Sequence, residues 1–479
     1  MKKSILLILL LVISLSSVSI FAFSTFAERN NVVFTENIIY GDRSTIEGLE
    51  INYKTKQNNQ LFWETTLSFE DNLNVKSNHK FYPAKQYEDL ESNYIHSGLH
   101  MNVDIYKAIS NLDYATGIEV AYKELFESLA PGEQGSKTVF LKDYLDYYDL
   151  QISFDFPSYN WNYNGFIFAG GNTGALRDEE NPRYFPSDKV VYDIGQYFKI
   201  PILDSEIYDV EISKHENGQV AMIGGGHAEG ERFTMETFSV LTGEACYFTF
   251  NPYGTEGSLV DLSYLRDGYG IFCLPHVISA DDTIDANFIK TEDLSMVYPL
   301  DPAAKIYALK LDDVQSKLFL YTIEDNQLVL KIIEIESMNP LQEITIMDSF
   351  DSTSLSIHQD KDYIALFDYQ NETVTLIAKN EHHEFETKFT CSFYPDSSMG
   401  KHPYPSALYY NGSQLACVST RPDSEYLSAG FTNLAILVYG ENGLSFAANY
   451  FNSLDSGVSK EPYYYSCESL YENPIKLSW

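Results

Sequence analysis

Short apolar runs alternate with polar breaks along most of this chain, and the clearest block is Lys305–Asp348. Four runs, Ile306–Leu311, Leu318–Ile323, Leu328–Ile335 and Leu341–Ile346, are cut there by the breaks DDVQSK, EDNQ and ESMNP. Runs of this length, rich in Ile, Leu, Val and Tyr and bounded by Asp, Asn and Pro, predict strands and not helical turns. The same four-run block recurs on both sides. Downstream, SLSIHQ, YIALFDY, TVTLIAK and EFETKFT fill 354–390, and SALYY, SQLACVS, LAILVYG and LSFAANYF fill 406–451. Upstream, LVDLSYL, GYGIFCL, TIDANFI and LSMVYPL fill 259–300, and IYDVEIS, QVAMIG, TMETFSVL and ACYFTF fill 207–250. A further block opens at Leu150 and closes by Leu203.

First strands therefore start near Leu150, Ile207, Leu259, Ile306, Ser354 and Ser406, at spacings of 47 to 57 residues. A four-strand module at this period resembles the blade of β-propeller repeat proteins. The resemblance implies an all-β fold, a seven-bladed β-propeller over 46–479, with six to eight blades compatible with the count. It is to the class in general: the Trp-Asp, kelch and sialidase signatures are absent. The seventh blade comes from the segment before Leu150, where GLEINYK, QLFWETTLSF and KTVFLKDYLDYYD read as strands. One helix interrupts it, with Tyr122, Leu125, Phe126 and Leu129 on one face and Pro131-Gly132 as the stop. The tail EPYYYSCESLYENPIKLSW is expected to return to the N-terminal blade, so that no edge strand is left open.

The start of the chain follows a different pattern. Met1-Lys2-Lys3 precedes an uncharged apolar stretch, Ser4–Ala27, with small residues at its end, which marks export. Cleavage near Glu28 gives a secreted protein; retention of 4–27 gives a signal anchor, with the rest outside the cytoplasmic membrane. Residues 28–45 read as a short stalk. Composition narrows the partners. With 32 basic against 68 acidic residues the net charge is −36, which opposes nucleic acid and anionic lipid surfaces. Five sparse cysteines make neither a disulfide scaffold nor a metal spacing, and no cofactor motif is present. Cys273 and Cys417 sit in apolar runs that predict inert thiols.

In a propeller the loops joining second to third strands (b–c), and each last strand to the next blade, share one face. The long connections 170–189, 224–232, 275–282, 394–405 and 419–433 are expected there, which makes that face the candidate binding surface. Arg177, Arg183, Arg232 and Arg421 lie in those loops, where guanidinium forks suit carboxylate or phosphate. The plainer alternative pairs each with a local acid such as Asp178, Glu179, Glu231 or Asp423. His227, after a Gly-Gly-Gly run, reads as a base or ligand, or as an exposed turn residue. Tyr184, Tyr404 and Tyr426 suit stacking on a sugar or peptide. Adjacent acid pairs such as Asp281-Asp282 do not give the cross-element geometry of glycoside chemistry. The expectation is a monomeric, non-catalytic propeller that binds a peptide, glycan or membrane-protein partner. The alternative is a hydrolase or lyase working on a polymer in a central funnel.

Overall fold

The computed structural model describes residues 14–20, 32–57, 61–70, 72–81, 99–103, 115–148, 150–154, 161–163, 166–168, 190–194, 197–255, 260–263, 265–275, 291–351, 354–395, 405–419, 434–452 and 475–479. They fall into two compact units: 1–95 with 159–171 and 352–479, and 96–158 with 172–351.

The first unit holds three antiparallel sheets and a short hairpin. Strands β21 (Leu355–Gln359), β22 (Tyr363–Asp368), β23 (Thr373–Lys379) and β24 (Phe385–Ser392) pair in sequence order. So do β25 (Ala407–Tyr410), β26 (Leu415–Ser419), β27 (Leu434–Gly440) and β28 (Gly443–Asn452). β1 (Phe34–Gly41) then adds to β28, with Phe34 opposite Asn452 and Gly41 opposite Phe446. The expected stalk is thus partly a strand, because Phe34 is buried and the outer edge of β28 gives its backbone a partner. The third sheet runs β29 (Ile475–Ser478), β2 (Glu50–Gln57), β3 (Leu61–Phe69) and β4 (Leu73–Phe81). As the pattern predicts, the C-terminus completes the N-terminal sheet, with Tyr53 opposite Ile475. The hairpin is β8 (Trp161–Tyr163) with β9 (Phe166–Phe168).

The second unit holds β17 (Lys305–Leu311), β18 (Lys317–Glu324), β19 (Gln327–Glu334) and β20 (Pro340–Met347), as the reading of Lys305–Asp348 requires. Its inner strands β18 and β19 are covered on both faces and so read as continuous apolar runs. β20, at the edge, is largely exposed. The next sheet upstream corrects the predicted boundaries. It consists of β13 (Phe233–Leu241), β14 (Ala245–Gly254), β15 (Gly270–Pro275) and β16 (Ser295–Pro299). The blocks 207–250 and 259–300 are therefore not two blades. Of LVDLSYL, the described residues 260–263 and 265 are irregular chain, with Val260, Leu262 and Leu265 buried as packing and not as a strand. β11 (Ile207–Lys214) and β12 (Val220–His227) instead join β6 (Gln134–Phe140), in the order β12-β11-β6. A last sheet is β5 (Leu99–Val103), β7 (Leu150–Phe154) and β10 (Val190–Asp193).

Helix α1 (Glu119–Ser128) occurs where the 3.6-residue pattern places it, and its face of Ala121, Tyr122 and Leu125 is buried. It packs on β11 and β6, so it belongs with Val210 and Ile212 and not with β2–β4. Lys214 Nζ donates to the Leu129 carbonyl at 2.6 Å, a cation on the last turn where the helix dipole favours one. The architecture is all-β: four-stranded antiparallel meanders, the blade unit of a β-propeller. Residues 14–20 are helical; among the described residues no helix is long and apolar enough to cross a membrane.

Candidate functional site

Strand direction decides which end of the β13–β16 sheet is elaborated. Phe233 faces Gly254, Met235 faces Pro252 and Gly270 faces Pro299, so the start of β13, the end of β14, the start of β15 and the end of β16 share one end. This is the b–c end. The connection 255–269 leaves from it, and Leu300–Ala304 leads from it into β17. The predicted b–c loop 275–282 instead begins at the end of β15, on the opposite side, because β15 is the third strand of its sheet and not the second.

At the b–c end lies a cavity of about 180 Å3 lined by Asn251, Pro252, Tyr253, Tyr269, Pro302, Ala304 and Lys305. Its floor is fixed by Asn251, 4% exposed, which joins the two neighbouring sheets. Asn251 Nδ2 donates to the Ile306 carbonyl at 2.6 Å, and the Ile306 N–H donates to Asn251 Oδ1 at 2.7 Å. A side-chain amide used in both directions satisfies a backbone pair that no strand reaches. Tyr269 is anchored the same way, its hydroxyl donating to the Phe250 carbonyl at 2.7 Å and its ring standing edge-on to Phe250. Burial raises the Tyr253 phenol, and the carboxylate of Glu236 adds to the shift. Lys305 is exposed at the rim, with no ion-pair partner among the described residues. The result is an aromatic and proline-walled slot with Lys305 at its mouth.

A second cluster sits beside the start of β13. Glu206 is fully buried. Its Oε2 accepts from the Tyr148 hydroxyl and, at 3.3 Å, from the Phe233 N–H. Its Oε1 lies 3.2 Å from His227 Nδ1. Tyr148 stacks on Phe233 at 4.2 Å between ring centroids, and the Leu203 N–H donates to its oxygen. Burial and the bond to Glu206 both push the Tyr148 phenol far up, so it stays a donor to the carboxylate. Buried carboxylates need such donors, because an unpaired one costs several kcal/mol, about 3–5.

Of the predicted site residues, the structure places His227 and Arg232. His227 ends β12, and the Gly-Gly-Gly run before it is strand and not loop. Its imidazole is about one-quarter exposed, beside Glu206 and edge-on to Tyr208. Arg232 immediately precedes β13. Its N–H donates to Thr255 Oγ1 and its carbonyl accepts from the Thr255 N–H at 2.9 Å, so it is pinned to the b–c end of β14. Arg177, Arg183, Tyr184, Tyr404, Arg421 and Tyr426 lie outside the described residues. Sequence reading missed Tyr253, Tyr269, Asn251 and Glu206. A Pro252-Tyr253 pair at the end of an apolar run was the one local hint, and Glu206 in an ordinary polar break gave none.

No family model matches the sequence, and no curated protein matches it. Solved structures similar to this chain include the periplasmic gluconolactonase of Pseudomonas aeruginosa, at 7% identity over 90% of this chain and 99% of that one, TM-score 0.30. A protein from Lactobacillus plantarum aligns at 8% identity over 90% and 99%, TM-score 0.29. The Swd1 β-propeller domain from Myceliophteria thermophila aligns at 8% over 50% and 78%, TM-score 0.23. The blade assignment rests on the strand order above and not on these likenesses.

Proposed function

We propose that this chain is an exported, non-catalytic β-propeller that binds a peptide, glycan or membrane-protein partner through the b–c end of its sheets. The observation that carries the reading is the size and lining of the Tyr253–Tyr269 cavity. Small-molecule sites usually enclose about 300–1,000 Å3. At about 180 Å3 this slot takes one side chain or one sugar ring, with the rest of the ligand outside it. That is the form of an anchor pocket in a recognition surface. Arg232 lies at the same end of the sheet. Arg177, Arg183, Tyr184, Tyr404, Arg421 and Tyr426, outside the described residues, remain proposed ligand contacts. The apolar stretch 4–27 supports export, ending in release or in an uncleaved anchor.

The test is a peptide and glycan panel presented to the full chain and to Tyr253→Ala and Lys305→Gln. Ligands that lose about tenfold or more in affinity in both variants support the pocket, since buried aromatic anchors commonly cost at least 1–2 kcal/mol on truncation. A panel of binders indifferent to both substitutions overturns it. Mass spectrometry of the mature N-terminus separates the two outcomes of export: an intact Met1 marks a tethered protein, a start near Glu28 a released one.

A hydrolase or lyase is the second reading, and the Glu206–His227 pair favours it. Glu206 Oε1 lies within ion-pair distance of one imidazole nitrogen, 3.2 Å from Nδ1, and the other nitrogen is left for proton transfer. Turnover of any bound polymer that vanishes in His227→Gln, with binding intact, would replace the first reading by this one.

A further inference from the structure

We infer that the outer edge of β12 is a docking edge for an extended, basic peptide segment, which would add to the sheet as a fourth strand. The inference concerns a different surface from the Tyr253–Tyr269 cavity and does not depend on it.

Among the described residues, β12 pairs with β11 on one side and with nothing on the other. Free edges are normally blunted by charge or proline, because a row of unpaired N–H and C=O groups is a template for another strand. The other edges are blunted by charge, by proline or by length: β5, β21 and β25 carry neither charge nor proline but run only five, five and four residues. β20 carries Pro340 and Glu343, β24 carries Glu386 and Lys388, and β4 carries Lys76 and Lys80. β6, the opposite edge of the same sheet, carries Lys137. β12 reads VAMIGGGH, with no proline and no Lys, Arg, Asp or Glu. Val220 and Met222 are 36% and 45% exposed. At Gly226 an added Cβ would meet nothing within 4 Å, so the sheet face is uncovered at that position. An eight-residue, uncharged, accessible edge is thus maintained in a chain where one residue in five is charged.

Charge selects the occupant. Glu216 lies in the turn before β12 and Glu229 in the connection after it, both exposed, with Glu211 on the neighbouring strand. Arg232 is the basic residue at the second end, Glu231 is engaged with Ser205, and Lys214 is turned to the end of α1. A peptide with an uncharged β-forming centre and a Lys or Arg at each end meets acids at both ends. A second copy of this chain, added antiparallel, would bring Glu216 of one molecule toward Glu229 of the other. A chain of net charge −36 disfavours that pairing further.

The experiment uses the full chain and an acetylated, amidated octapeptide, Lys-Thr-Val-Thr-Val-Thr-Val-Lys. Binding is read by fluorescence anisotropy, and the site by hydrogen exchange of the 220–227 amides. The expected result is saturable binding with slowed exchange confined to β12 and its flanks. Met222→Lys should weaken binding about tenfold with an unchanged melting temperature, since a charge at an exposed edge position blocks strand addition without touching the core. A peptide N-methylated on every residue should not bind, and a Glu-flanked peptide should bind about tenfold more weakly. Unaltered exchange in β12, equal binding of the N-methylated or Glu-flanked peptide, or insensitivity to Met222→Lys overturns the inference. A concentration-dependent dimer abolished by Met222→Lys overturns it too, because the occupant would then be a second copy.

Discussion

Gly225 shows how one residue explains a feature that its sequence context misrepresents. A glycine triplet looks like a flexible loop, yet Gly224–Gly226 lie in β12, with Gly225 opposite Val210. An added Cβ at Gly225 would stand 2.1 Å from the Tyr122 hydroxyl on α1 and 2.7 Å from the Asp209 carbonyl. The glycine is therefore the notch into which the helix seats its tyrosine. Gly225→Ala is expected to lower stability by about 2–3 kcal/mol, the usual cost of overpacking a well-filled contact. Adding Tyr122→Phe should recover part of that loss, since one of the two clashing atoms is gone. Gly226→Ala, facing open space, should stay within about 0.5 kcal/mol of the parent. Urea midpoints of the four proteins decide it; equal midpoints for Gly225→Ala and Gly226→Ala would remove α1 from this position.

Elements were legible wherever a strand is covered on both faces or a helix has one greasy side. β17–β20 and β21–β24 coincide with the predicted runs, and α1 with its predicted face, because burial alone sets those patterns. Reading failed between 207 and 300, where the chain leaves one sheet and enters another. Nothing in IYDVEIS says that its partner is β6, some 70 residues earlier, since a strand's neighbours are set by tertiary pairing and not by its own composition. The site was harder still: Asn251 and Tyr269 matter through contacts to Ile306 and Phe250 on other strands. The C-terminal strand shows the value of the one long-range expectation that held. β29 closes the edge of β2, buries Ile475, and brings Trp479 Nε1 within 3.0 Å of the Glu47 carbonyl. Deleting 475–479 should cost about 2–4 kcal/mol, a buried Ile together with the ladder it supports. It should also promote aggregation through the freed β2 edge. Thermal melts and light scattering of the truncated chain test both, and an unshifted melt would mean that β29 is not part of the folded sheet.

Buried ionisable groups of one kind give the whole molecule a defined alkaline limit. Tyr148, Tyr321, Tyr439 and Tyr450 rank among the largest fully buried side chains, and Cys246 and Cys417 have no exposure. Burial raises all six, helped at Tyr148 by Glu206 and at Tyr450 by the bond to Glu36. Each neutral form is held by the folded state, while the unfolded chain releases these protons at the ordinary values, about 8.5 for thiols and 10 for phenols. Folding stability contributed by these groups is thus complete below pH of about 8.5 and falls as pH rises through the window above it. Deprotonation of exposed tyrosines over the same range adds negative charge to a chain already at −36. Both effects act in one direction. Tyrosine ionisation followed at 295 nm should therefore show a first phase from exposed phenols with native circular dichroism. A second, steep phase should then coincide with loss of the β signal, and Cys417→Ala should make the first decline in stability above pH of about 8.5 shallower. Smooth titration of all 37 tyrosines around their ordinary value, with the β signal intact, would contradict the buried phenols on which this packing depends.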